Sequence, residues 1–147
     1  MYSEKLNYKP YILIILLFML DIIFFNFFEK QLINSLLCWY CIQTTKPILI
    51  THLFMSALFL CLESSLYYGR FGLQLAYLIP LAGLGYSLQK TFYKKNVYPY
   101  IMLIFSLFCQ RAIEQYILEL TSSWHYTIYR IFVNIGVLWI ISLTYKY

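Results

Sequence analysis

An all-α bundle of about six short membrane-spanning helices is the fold class that this sequence predicts, and three observations predict it. Of its 147 residues, 62% are hydrophobic and only 12% are charged, where a soluble domain carries about twice that charged fraction. The apolar excess is too large for a core and must face lipid. Apolar runs also recur at helix length with short polar breaks between them. A spanning helix takes about 20 residues, so six use about 120 and leave only short loops. Lastly, the basic residues sit in the breaks, where membrane proteins keep Lys and Arg. Residues 1–147 therefore read as one integral membrane domain with no room for a soluble one.

The first run, residues 11–28, lacks a small-residue cleavage site and is interrupted by Asp21 and Asn26. It reads as a retained helix, not a cleaved signal peptide. The second, 31–44, is short and only moderately apolar. The third, 47–62, opens on Pro47, and the fifth, 98–120, has Pro99 near its start. Proline at a helix start removes an N–H that has no partner anyway. The fourth, 71–88, holds Pro80 in its interior, which predicts a kink. The sixth is 126–144.

Charge decides whether the second run is a span. With six spans and a cytoplasmic N-terminus, the inner side holds Lys5, Lys9, Lys46, Lys90, Lys94, Lys95 and Lys146, and the outer side Lys30, Arg70 and Arg130, seven against three. Arg111 lies inside a span. This split obeys the positive-inside rule. Without the second span, Lys90, Lys94 and Lys95 move outside and the rule breaks. Both termini are thus expected in the cytoplasm. Aromatic pairs flank the runs at the headgroup level: Tyr67 and Tyr68, Tyr98 and Tyr100, Trp124 and Tyr126, Tyr145 and Tyr147. The net charge of +5 forms no basic stripe on a polar face, so a nucleic-acid partner is not expected.

Charge inside a span is costly and marks a pairing or functional site. The candidates are Asp21, Glu63, Arg111 and Glu114, with Glu119 beside a span. Arg111 and Glu114 are three apart and share a helical face, so Arg111 is expected to be neutralised by Glu114, or across helices by Asp21 or Glu63. Cys38-Trp39-Tyr40-Cys41 is a C-x-x-C pair. Redox work needs a reachable, low-pKa thiol and a second pair to exchange with. Cys61 and Cys109 are isolated, so two ordinary apolar cysteines are the expectation. No ligand pair of suitable spacing joins them to His52 or His125 as a zinc site. His52 on its apolar helix reads as a core residue. Gly72 and Ala76 form a small-xxx-small pattern on the fourth helix, continued by Ala82, Gly83 and Gly85, and small residues let helices approach closely.

From Phe28 onward the chain resembles the rod-shape-determining membrane protein family MreD. Three stretches carry the resemblance: Pro47 through Leu62, Glu63, Ser64 and Ser65 to Gly69; Leu75-Ala76-Tyr77-Leu78 followed by the basic loop of Lys90, Lys94 and Lys95; and the closing helix Phe132-Val133-Asn134-Ile135-Gly136-Val137-Leu138-Trp139 with its basic end at Lys146. The chain departs from the family near Cys61, where the usual acidic position is taken over by Glu63 two residues along. Ser56 and Ala57 stand where small residues are expected, with no glycine. The resemblance implies a fold similar to the substrate-binding membrane component of energy-coupling-factor vitamin transporters. It implies a non-enzymatic scaffold without cofactors in the bacterial inner (cytoplasmic) membrane, within the cell-wall elongation machinery. Its partners would be a bitopic MreC-like protein and, through it, an MreB-like filament and the peptidoglycan synthases. Two alternatives stand beside it. One is a vitamin-transporter subunit with Glu63, Gln74, Arg111 and Glu114 around a pocket. The other is a quinone-linked membrane thiol oxidoreductase using Cys38 and Cys41.

Overall fold

The structure, a computed structural model, describes residues 8–45, 50–91, 96–121 and 123–144. These form six α-helices and no strand: α1 Lys9–Phe28, α2 Ser35–Thr45, α3 Ile50–Tyr68, α4 Leu75–Thr91, α5 Tyr98–Tyr116 and α6 Trp124–Thr144. Lys5, Lys46, Pro47, Lys94, Lys95, Tyr145, Lys146 and Tyr147 lie outside the described residues.

Helix α2 is the axis of the bundle. It packs against each of the other five helices, and Leu36 through Ile42 are all buried. A helix that is apolar on every side can only be stable inside others. Its 11 residues reach about 16 Å at 1.5 Å per residue, roughly half of a 30 Å hydrocarbon layer. The second run therefore begins later than residue 31. Residues 29–34 are instead non-helical chain, entered through Glu29 in the left-handed conformation (φ 53°).

Around α2 the others stand in the order α1, α3, α4, α5, α6, each touching the next. Among the described residues α1 and α6 do not touch. These are also the two helices long and apolar enough to cross a membrane.

Three further boundaries differ by four residues or more from the sequence expectation. Helix α3 runs six residues past Leu62 to Tyr68, and the Ser64 hydroxyl donates back to the Cys61 carbonyl within it at 2.9 Å. The stop is Gly69 at φ 64°, a left-handed position where glycine carries no Cβ penalty. Helix α4 begins at Leu75 rather than 71. Gly72 lies in the preceding turn at φ 79°, so it cannot form a helical small-xxx-small pair with Ala76. Helix α5 ends at Tyr116, and Glu119 sits in the loop beyond it at φ 54°, exposed.

The outward faces of α1 and α6 are apolar, and polar side chains lie on their inward faces. Ile12, Leu16, Met19, Ile23 and Phe27 of α1 are exposed while Asp21 is buried. On α6 Ile128, Phe132, Trp139 and Ile140 are exposed, while Thr127, Arg130 and Asn134 are buried with Leu138 and Ile141.

Candidate functional site: a buried polar network

Six stretches of chain bring polar groups to one end of the bundle, where α1 passes to α2, α3 to α4 and α5 to α6. Asp21 comes from α1, Gln31 and Asn34 from the non-helical link, Glu63 and Tyr68 from α3, Gln74 from the turn before α4, Gln110 and Glu114 from α5, and Arg130 and Asn134 from α6. The opposite half of the core is apolar, built from Ile14, Leu60, Leu78, Leu81, Leu103, Leu138 and Ile141.

The N-terminus of α2 is capped from another helix. Asp21 Oδ1 accepts the Ser35 backbone N–H at 2.8 Å and the Ser35 hydroxyl at 2.5 Å, and Oδ2 accepts the Leu36 N–H at 2.9 Å. A carboxylate at a helix N-terminus meets unsatisfied N–H groups and the positive end of the helix dipole. Asn134 secures the link one residue earlier. Its Oδ1 accepts the Asn34 N–H at 2.7 Å, and its Nδ2 donates to the carbonyls of Leu32 at 2.9 Å and Arg130 at 2.8 Å. Buried irregular backbone needs partners for its polar groups, and Asn134 supplies them here.

The centre of the network is an ion pair. Arg130 Nη1 donates to Glu114 Oε1 at 3.1 Å, with both side chains buried. Tyr68 donates its hydroxyl to the same oxygen at 2.6 Å. Arg130 Nη2 donates to Gln31 Oε1 at 3.2 Å, and Gln110 Nε2 to that oxygen at 2.6 Å. Turned so that both its amide atoms are satisfied, Asn34 accepts from Arg130 Nη2 at 3.0 Å. Tyr67 donates to Glu63 Oε1 at 3.0 Å.

All four charges singled out in the sequence are buried: Asp21 at 1%, Glu63 at 0%, and Arg111 and Glu114 each at 7% exposure. The partnership differs from the expectation. Glu114 pairs with Arg130. Arg111 turns toward the α5–α6 connection, where it donates to the Thr127 hydroxyl and the Ser123 carbonyl and lies 3.7 Å over the Trp124 ring. Arg130 does not belong to the outer loop. It sits on the inner face of α6 at 3% exposure.

Cys38 and Cys41 are both free and buried in the middle of α2. Among the small residues, only Gly85 marks a close approach within the chain. A Cβ there would sit 3.0 Å from the Cβ and carbonyl oxygen of Thr44 and 3.2 Å from Met102. At Gly83 a Cβ meets nothing within 4 Å, and Ala76 is exposed. These two face away from the bundle. Among the described residues, no group of three or more His, Cys, Asp or Glu could hold a metal.

No protein-family model, curated protein or solved structure matches the chain.

Proposed function

We propose that this chain is a multi-pass protein of the cytoplasmic membrane, with both termini in the cytoplasm, acting as a non-enzymatic scaffold of the MreD type in cell-wall elongation. The observation that carries the membrane reading is the inverted burial. Exposed Phe, Ile and Leu cover the long helices while charged and amide side chains are buried at one end of the interior. Water-soluble proteins do not expose contiguous apolar surface on this scale, and intramembrane charge turns toward the bundle interior. Removing Arg130 from the outer tally leaves seven basic residues against two, which strengthens the orientation.

The scaffold reading rests on how the polar groups are used. Several of those that could line a pocket hold one another: Glu114 takes Arg130, and Gln31 takes Gln110. What remains for a partner is helix surface. Ala76, Pro80, Gly83 and Ser87 follow one another at spacings of four, three and four on α4, and all are exposed. Spacing of this kind with small side chains lets a second helix approach closely. A single-span MreC-like protein is the partner that fits, with an MreB-like filament and peptidoglycan synthases engaged through it.

The vitamin-transporter reading draws on Gln74 Oε1 and Arg130 Nε, two buried atoms without a hydrogen-bond partner among the described residues. The thiol oxidoreductase reading has less support, because both thiols of α2 are enclosed by the other helices and a working thiol must be reachable. Purification from native membranes in mild detergent separates the three. A bitopic membrane protein carried with the chain supports the scaffold. A bound vitamin with no such protein overturns it in favour of the transporter, and a Cys38–Cys41 disulfide that turns over with quinone overturns it in favour of the oxidoreductase.

A further inference from the structure

The geometry points to Tyr68 as a latch: its side chain closes the mouth of the buried polar network against water and small polar solutes, and swings aside to admit them. Tyr68 is the last residue of α3. Among the described residues α3 and α5 do not touch, yet the Tyr68 hydroxyl reaches Glu114 Oε1 of α5 at 2.6 Å and Gln31 Oε1 of the link at 3.0 Å. The side chain thus spans the half of the bundle that α2 does not fill. It also lies at the rim. Glu114 stands two residues before the end of α5, and Gln110 is one turn, about 5.4 Å, deeper. Arg130 and Asn134 follow Trp124, the first residue of α6, by six and ten residues. Tyr68 is partly exposed, whereas Gln31, Gln110, Arg130 and Asn134 are all at or below 6% exposure. A rim tyrosine with its hydroxyl turned inward is a cover on what lies beneath.

Two features make this cover movable. Both acceptors of the Tyr68 hydroxyl are also held by Arg130, Glu114 Oε1 at 3.1 Å and Gln31 Oε1 at 3.2 Å. Gln110 holds Gln31 Oε1 as well. One hydroxyl hydrogen cannot serve two acceptors fully, and its withdrawal strands neither of them. Opening therefore costs one hydrogen bond and not the larger penalty of an unsatisfied buried group. The chain also turns directly after Tyr68, at Gly69 with φ 64°, so no later turn of α3 hems the ring in. Beneath the surface at this end, Gln74 Oε1 and Arg130 Nε are buried without a hydrogen-bond partner among the described residues. Such groups take up water or a polar solute that reaches them. The latch stands apart from the partner surface on α4 and does not depend on it.

Thiol labelling of the full chain in lipid nanodiscs tests the latch. Gln110→Cys in a Cys109→Ala background places one thiol beneath Tyr68, and a small charged methanethiosulfonate reports access to it. Labelling at position 110 should be slow while Tyr68 is in place. Tyr68→Phe removes only the hydroxyl and should raise the rate about tenfold, the order expected for one lost hydrogen bond, with Cys38 still unlabelled. Tyr67→Phe removes the neighbouring hydroxyl, which is bound to Glu63 instead, and should leave the rate as it was. Equal rates with and without Tyr68→Phe overturn the inference. An equal acceleration by Tyr67→Phe does the same. Labelling of Cys38 together with position 110 in Tyr68→Phe also overturns it, since Tyr68 is then a structural tie whose loss opens the whole core.

Discussion

Arg130 Nη1 lies 3.1 Å from Glu114 Oε1, joining α6 to α5 at a point closed to solvent. Breaking a buried pair from one side leaves an uncompensated charge, which costs about 3–5 kcal/mol. Glu114→Leu and Arg130→Met should therefore each destabilise by about that amount, and the two together should recover most of it. Denaturation midpoints in detergent for the two single variants and the double variant measure the coupling. Additive losses would show that the pair is not a unit.

Asp21 organises α2 from a distance of fourteen residues. Asp21→Ala leaves the N–H groups of Ser35 and Leu36 buried without an acceptor, at about 1–3 kcal/mol for each such group. The loss should be local first. Limited proteolysis should cut the variant within residues 29–36 before any other segment, where the wild type resists.

The two glycines of α4 should behave oppositely. Gly85→Ala places a methyl 3.0 Å from the Thr44 carbonyl oxygen, and overpacking of this kind costs about 1–3 kcal/mol. Gly83→Ala meets nothing and should leave stability unchanged or slightly raised, since alanine is the better helix former. Thermal unfolding of both variants in detergent decides the matter.

Cys38 and Cys41 should resist a membrane-permeant maleimide in the folded protein and react fully after denaturation, because both are enclosed on α2. Replacing both with Ala should loosen packing and lower the melting temperature, while cell growth and shape remain intact.

The number and order of helices were legible in the apolar runs, and the buried charges were legible as the polar residues that interrupt them. Pairing was not. Arg130 falls four residues after Tyr126, where the last run was expected to begin, and so was counted as a flanking charge. Its burial is readable only from the stripe Thr127, Arg130, Asn134, Leu138, Ile141 along one face. Tyr68 looks like a headgroup-level aromatic, yet its hydroxyl turns inward to Glu114. Gln110 carries no charge to draw attention, although it sits one turn before Glu114 on the same face. The extent of α2 was hidden for a different reason. The bonds that hold residues 29–34 non-helical inside the bundle come from Asn134, Gln110 and Arg130, and the cap on α2 after them from Asp21, all remote in sequence.

The central claim is that the outer face of α4 seats a partner helix. Photo-crosslinking from a reactive side chain introduced at Gly83, in living cells, tests it most directly, with Ile128 on the exposed face of α6 as the comparison site. The account predicts a discrete adduct with a single-span membrane protein from position 83 and none from position 128. Adducts with lipid alone from position 83, in cells where the chain is present at its normal level, would contradict it.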